Sequence, residues 1–189
     1  MRILILGAFN KEIESIIKKF NETSTIKERR VSNYNCHRFN IAGHKILMSL
    51  TTVGTAPAAV TTTLLSKKFK PDLILMCGTA GALQANGDIE AKALQVGDVM
   101  ISKKVVYIDQ YELFQKLPSM PAYAECAKDP HSGQQITHVY QSPDELVSAA
   151  TSLSNIPTVS GNIGVSNFFP VPKELLSTLH ELNCKVIEM

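Results

Sequence analysis

The sequence predicts an α/β fold. Three observations point to it: short unbroken apolar runs of strand length, helix-spaced apolar positions after the first of them, and small residues where the runs end. The clearest run lies in residues 71–83, PDLILMCGTAGAL. Pro71 and Asp72 interrupt what precedes it. Residues 73–77 are apolar throughout, and Gly78, Thr79, Ala80 and Gly81 follow without a bulky side chain. An apolar run of this length between breakers predicts a strand buried on both faces. Small residues after it let a backbone approach a ligand, and in open α/β sheets ligands lie beyond the carboxyl ends of the strands. The stretch therefore predicts one wall of a site for a small polar ligand.

The other elements follow in order. Residues 2–6 form a first buried strand that Gly7 and Ala8 end. Asn10 is suited to cap a helix over 11–20, where Ile13, Ile16, Ile17 and Phe20 share one face. Gly7 is the one glycine in this strand-turn-helix, so the dinucleotide-binding fingerprint fails. Residues 25–31, 35–41 and 45–50 read as an antiparallel meander with turns near Ser32-Asn33 and Gly43. A helix follows over 55–69, with Pro57 tolerated in its first turn. Residues 84–95 have little apolar pattern and predict a loop. Residues 99–107 predict a strand, with Lys103 and Lys104 at its solvated end. Residues 109–130, with prolines at 118, 121 and 130, predict a long irregular segment of the kind that serves as a lid, binding loop or interface. Ser142 and Glu145 have capping-box spacing for a helix to about Leu153. A strand over 157–165, a helix over 172–182 and a strand from Lys185 complete the pattern. A helix followed by so few strand residues leads us to expect a continuation past Met189.

Composition bounds the function classes. The chain has 189 residues, 44% hydrophobic and 19% charged, the balance of one soluble globular domain with a real core. A formal net charge of +2, with lysines in scattered pairs, argues against a nucleic-acid partner. No stretch reaches the ~18 apolar residues of a membrane helix, so no membrane partner is expected. The apolar start is too short for a signal peptide and meets Asn10, Lys11 and Glu12 at once. Cysteines at 36, 77, 126 and 184 include no closely spaced pair, which predicts reduced thiols and a cytoplasmic location. Histidines at 37, 44, 131, 138 and 180 show no ligand spacing, so neither metal nor organic cofactor is expected.

Six stretches, in order, resemble the nucleoside phosphorylase and nucleosidase family, in particular the 5′-methylthioadenosine/S-adenosylhomocysteine nucleosidases. They are MRILILGAFNKEI, TTVGTAPAA, KPDLILMCGTAGAL, LQVGDVMIS, the pair Leu117-Pro118, and KVIEM. The resemblance covers the whole chain. It implies a single domain over 1–189, three-layer α/β/α with a central mixed β-sheet, of the phosphorylase/hydrolase-like kind. It implies cleavage of the N-glycosidic bond of a purine nucleoside. That chemistry builds positive charge on the ribosyl ring and negative charge on the leaving base. It needs a carboxylate for the attacking water, an acid near the base, and acceptors for the ribose hydroxyls.

By resemblance Glu12 is the water-activating glutamate; read from the residues alone, it is a solvated first-turn carboxylate favoured by the helix dipole. Thr79 stands for the family's more usual serine, or is a turn threonine bonded to its own backbone. Ala80 and Gly81 match the backbone beside base and ribose, and Phe9 stands beside the ribose. Phe168 or Phe169 matches the aromatic that stacks on the purine, or belongs to the core. Val53 matches an apolar residue near the substrate's tail, and Met189 the methionine under the ribose.

Departures from the family pattern leave alternatives open. The family's ribose-gripping glutamate falls just after Met189, and its proton-donating aspartate later still. The usual Ser-Gly-Asp segment reads Ser166-Asn167. The chain is then part of a longer active enzyme, or a non-catalytic nucleoside-binding homologue. A phosphorylase would need fixed cations for phosphate. The arginines are at 2, 29, 30 and 38, and Met76 occupies a position where bacterial purine phosphorylases carry one. Water is therefore expected as acceptor, with phosphorolysis the alternative. The resemblance also implies a homodimer in which the 117–121 loop, with Leu117, Pro118, Met120 and Pro121, covers the neighbour's pocket.

Overall fold

Alternation along the first strand organises the N-terminal half. The computed structural model describes residues 1–25, 27–31, 33–83, 94–121, 124–153, 156–168 and 170–188. Its contacts divide the chain into two compact units, Met1–Thr79 and Ala80–Met189.

In the first unit β1 (Arg2–Gly7) is followed by α1 (Asn10–Thr23), the strands β2 (Lys27–Val31), β3 (Tyr34–Ile41) and β4 (His44–Leu50), helix α2 (Thr55–Phe69) and β5 (Leu73–Met76). The sheet order is β2-β3-β4-β1-β5. β2, β3 and β4 form the antiparallel meander, while β1 runs parallel to both β4 and β5. Successive residues of a strand point to opposite faces, and the core divides accordingly. Leu4 and Leu6 pack with Cys36, Leu47 and Leu65 of α2 on one face. Ile5 packs with Ile13 of α1, Phe39, Ile46 and Met48 on the other. One helix on each face of a mixed sheet is a three-layer α/β/α arrangement. Fully burying each such aliphatic side chain contributes ~1.5–3 kcal/mol.

The end of α2 shows how the local sequence sets a boundary. Pro71 disfavours the helical conformation for the residue before it. Lys70 takes a left-handed φ of 50° and closes the helix with its N–H on the Ser66 carbonyl at 2.8 Å. Arg2 ties this end to the start of β1: its Nη1 donates to the Phe69 carbonyl at 3.0 Å, and its backbone N–H donates to the Asp72 carboxylate at 2.7 Å.

The second unit contains β6 (Gly81–Ala82), β7 (Val99–Tyr107), α3 (Ile108–Lys116), two short 3₁₀ turns (Leu117–Ser119 and Ala124–Ala127), β8 (Val139–Gln141), α4 (Asp144–Ser152), β9 (Thr158–Val165), α5 (Glu174–Glu181) and β10 (Cys184–Glu188). Its sheet runs β6-β10-β9-β7-β8, parallel at the centre and antiparallel at both edges. Val106, Ile108, Leu179, Cys184 and Ile187 form its core. α5 packs so closely on β9 that a Cβ at Gly164 would collide with Leu179 Cδ2. Among the described residues no helix is long and apolar enough to cross a membrane, and no cluster of side chains could hold a metal ion.

The α/β class expected from the sequence holds, with the strands distributed over two mixed sheets. Four local expectations change. The apolar run at 73–77 is a strand, but it is not buried on both faces: among the described residues β5 pairs with β1 alone, and Ile74, Leu75 and Met76 are 44%, 39% and 48% exposed. An apolar run reports a strand, whereas burial depends on which neighbours cover it. Segment 109–130 is not irregular at its start. Ile108 and Tyr111, at helical spacing, pack α3 on the core, a pattern obscured by the prolines beyond it. Lys103 and Lys104 stand in the middle of β7, at a register shift that leaves them exposed. The capping box at Ser142 does not form: Pro143 is the N-cap, and the Ser142 N–H donates to the Lys103 carbonyl instead. The 84–95 loop falls almost entirely outside the described residues.

Candidate active site

Glu12 is where the first unit brings distant residues together. β1 ends at Gly7, and the chain turns at once into α1, whose N-cap is Phe9 rather than Asn10. The turn demands glycine. A Cβ at Gly7 would sit 2.6 Å from Ile13 Cγ2 and 3.3 Å from the Cys77 carbonyl oxygen, because α1 and the end of β5 close on it from two sides. Position N3 of the helix therefore lies beside the carboxyl ends of β1 and β5, and position N3 is Glu12.

Both carboxylate oxygens of Glu12 are engaged. Oε2 accepts from the backbone N–H of Ala8 at 2.6 Å and of Phe9 at 3.4 Å. Oε1 accepts from the Thr79 N–H at 3.0 Å and from the Thr79 hydroxyl at 3.3 Å. The first pair is the capping role that the residue alone suggests. The second pair spans 67 residues of sequence and fixes the carboxylate against the end of the β5 segment. Two contacts are short and two long, so the long ones are the easier to exchange for a ligand or a water. Thr79 does not spend its hydroxyl on its own backbone, the alternative left open by its sequence context. The same neighbourhood affects Cys77: burial first, and the Glu12 charge second, push its thiol up from the ordinary range.

Phe9 and Val53 are 41% and 64% exposed. They sit on adjacent loops, because Gly7 pairs with Leu50 across the parallel strands and the Thr51 N–H donates to the Gly7 carbonyl at 2.9 Å. Thr52 and Gly54 have φ of 64° and 109°, which turns this second loop sharply into α2.

In the second unit, Gly81 pairs with Ile187 in β6, and Ala80 precedes it, both exposed. Phe168 is 54% exposed, so it is not a core residue. Phe169 and Met189 lie outside the described residues.

Sequence reasoning missed Asp109. The Ser166-Asn167 pair lacks the adjacent aspartate expected from the family pattern, but a carboxylate reaches it from the start of α3. Ser166 Oγ donates to Asp109 Oδ1 at 2.5 Å, and the Asn167 N–H donates to Oδ2 at 2.7 Å. Asn167 Nδ2 donates to the Tyr107 hydroxyl at 2.6 Å, and the Phe168 N–H donates to Ser166 Oγ at 3.0 Å. Ser166 is fully buried. The loop that presents Phe168 is thus tied to the β7–α3 junction. No sequence signal joins two segments nearly sixty positions apart.

With this geometry in place, comparison with known proteins decides the family. The model of the phosphorylase superfamily matches residues 2–189. The chain belongs to that superfamily. Within it, the chain is 30% identical over 167 residues to a 5'-methylthioadenosine/S-adenosylhomocysteine nucleosidase of Staphylococcus carnosus, covering 85% of this chain and 61% of the relative. It is 33% identical over 130 residues to the Staphylococcus aureus protein of the same name, covering 66% and 52%. The chain thus spans between half and two thirds of the length of these relatives. Among solved structures, the Helicobacter pylori nucleosidase of that name superposes with a TM-score of 0.75 at 21% identity, over 100% of this chain and 75% of that one. A futalosine hydrolase of the same organism gives 0.76 at 22%, over 100% and 74%. At these identities the two superpositions establish the superfamily fold.

Proposed function

We propose that the protein hydrolyses the N-glycosidic bond of a purine nucleoside bearing a 5′-thio substituent, with Glu12 orienting and deprotonating the attacking water. The observation that carries the reading is the Glu12 carboxylate itself. It is held at the carboxyl ends of β1 and β5 by four donors, two of them from Thr79. The printed names of the S. carnosus and S. aureus relatives support the substrate class.

In this mechanism the C–N bond breaks with its electron pair passing to the purine, and the ribosyl carbon becomes cationic. A water oxygen forms the new C–O bond and gives its proton to Glu12. The purine takes up a proton from a group that is not among the described site residues. A fixed carboxylate beside the cationic carbon also stabilises the charge that develops there. Thr79 holds Glu12 within the first unit. The family resemblance assigns the other roles: Thr79 with the backbone of Ala80 and Gly81 to the ribose and base, Phe9 to the ribose, Val53 to the 5′ substituent, Phe168 or Phe169 to the purine and Met189 to the sugar.

Water is favoured over phosphate as acceptor because Met76 supplies no cation, and because Arg2 is committed to the Phe69 carbonyl and lies at the opposite end of β1 from Glu12. The reading also includes a homodimer through the 117–121 segment, supported by the exposed Met120. It includes a cytoplasmic role in methionine salvage, which follows the nucleosidase resemblance.

The test is release of adenine from methylthioadenosine by the full-length gene product, with and without phosphate. Cleavage independent of phosphate is expected. A strict phosphate requirement would move the protein to the phosphorylases. Binding without cleavage would make it a nucleoside-binding homologue.

A further inference from the structure

The shortest contact on the Glu12 carboxylate comes from a backbone group, the Ala8 N–H at 2.6 Å. That N–H belongs to the same peptide unit as the Gly7 carbonyl. A peptide unit is planar and trans, so its C=O and N–H point in opposite directions. Whatever fixes the Gly7 carbonyl therefore fixes the direction of the donor that Glu12 receives. A donor on the carbonyl also polarises the N–H and strengthens the bond it gives.

Thr51 is the residue that fixes it. The pairing of β1 with β4 ends at Gly7 and Leu50. One further bond extends it, from the Thr51 N–H to the Gly7 carbonyl at 2.9 Å. Thr51 is 1% exposed, so its hydroxyl needs a partner inside the protein. Oγ1 lies 3.4 Å from the Gly7 carbonyl and 2.9 Å from the Thr52 carbonyl. A hydroxyl has one proton to give, and the nearer acceptor, Thr52, takes it.

Thr52 is the strained point of this loop. Its φ of 64° lies in the left-handed region, which is a rare place for a β-branched residue. Such a conformation persists where the surroundings hold it. The Thr51 hydroxyl supplies that hold, because it ties the Thr52 carbonyl back to the end of β4. A valine at position 51 would fill nearly the same space and give no such bond.

We infer that Thr51 is a positioning residue for Glu12. Its hydroxyl locks the left-handed turn at Thr52, its N–H thereby stays on the Gly7 carbonyl, and the Ala8 N–H of that peptide stays aimed at Glu12 Oε2. Thr51 acts through the carboxylate and takes no part in bond cleavage. Its effect on turnover rests on the hydrolase reading above, whereas its effect on the Ala8 N–H does not.

The experiment therefore reads both on the full-length protein. With alanine labelled by ¹⁵N, the Ala8 amide signal is identified by its upfield move in Glu12→Gln. Thr51→Val should move it part of the way, and Thr51→Ser, which keeps the hydroxyl, should leave it in place. Thr51→Val should also lower kcat about fivefold with KM little changed, the scale of one neutral hydrogen bond. The factor should be the same for adenosine as for methylthioadenosine, because the effect passes through Glu12 and not through the 5′ substituent. Thr51→Ser should restore kcat. Thr52→Gly added to Thr51→Val should recover part of it, since glycine takes a positive φ without help. Thr51→Ala gives the same comparison if Thr51→Val does not fold. An unmoved Ala8 signal overturns the positioning role and leaves the hydrolase reading intact. A loss confined to KM, or one that depends on the 5′ group, also overturns it. A moved signal with no cleavage by any of the proteins supports the positioning of the carboxylate and overturns the hydrolase reading.

Discussion

Replacing Asp109 tests how the second unit holds the loop that carries Phe168. In Asp109→Ala the Ser166 hydroxyl and the Asn167 N–H both lose their acceptor. Hydrogen bonds to a charged group contribute about 1.5–3 kcal/mol each. Ser166 is fully buried and Asn167 exposed, so we weight the first bond more heavily and expect a loss of about 3 kcal/mol. At ~2–4 °C per kcal/mol for a chain of this size, the melting temperature should fall by about 6–12 °C. Asp109→Asn keeps one carbonyl acceptor but turns an N–H₂ group toward the other donor, and should cost about half as much. Thermal and urea unfolding of the two variants measure this. The loop also has a functional readout, because the Ser166 hydroxyl accepts the Phe168 N–H. Under the proposed function, Asp109→Ala should raise KM for the nucleoside with kcat little changed. A melting shift below ~2 °C for Asp109→Ala, or equal losses for Ala and Asn, would refute the view that the carboxylate holds this loop.

Three other outcomes are expected. Glu12→Gln should lower kcat by ~10²–10⁴-fold while nucleoside affinity, read by calorimetry, stays near that of the unaltered protein; retained turnover would remove Glu12 from the chemistry. Gly164→Ala places a methyl group against Leu179 Cδ2 and should destabilise by ~1–3 kcal/mol in urea unfolding, whereas Gly43→Ala, with open space around the Cβ position, should show no clash and only the smaller strain of its φ of 78°. His138 has ring contacts with Tyr107 and Phe114, neither ring nitrogen has a hydrogen-bond partner among the described residues, and desolvation lowers its pKa from the ordinary value. The unfolded chain then binds the proton more readily, so stability should be full above the unfolded value of ~6.5 and fall as pH drops below it; His138→Phe should flatten that limb of the pH–stability curve, and an unchanged slope would refute the assignment.

The strands and most helices were legible in the sequence because their signals are local. The apolar runs of β1 and β4, the period of α1, and Pro71 after α2 each act within a few residues. The family was legible for a related reason: six short motifs keep their order along the chain, and the superfamily match over residues 2–189 agrees. Glu12 and Thr79 could be named separately from those motifs.

Tertiary structure decided what depends on residues far apart. It joined Glu12 to Thr79 across 67 positions and brought Asp109 to Ser166 across 57. Among the described residues it placed β5 at the edge of the first unit's sheet with apolar side chains exposed, although the run itself reads as interior. The physical reason is the same in each case. Side-chain propensity and periodicity are set by the next few residues, whereas burial, charge pairing and the partner of a carboxylate are set by whichever segments the sheet order makes neighbours.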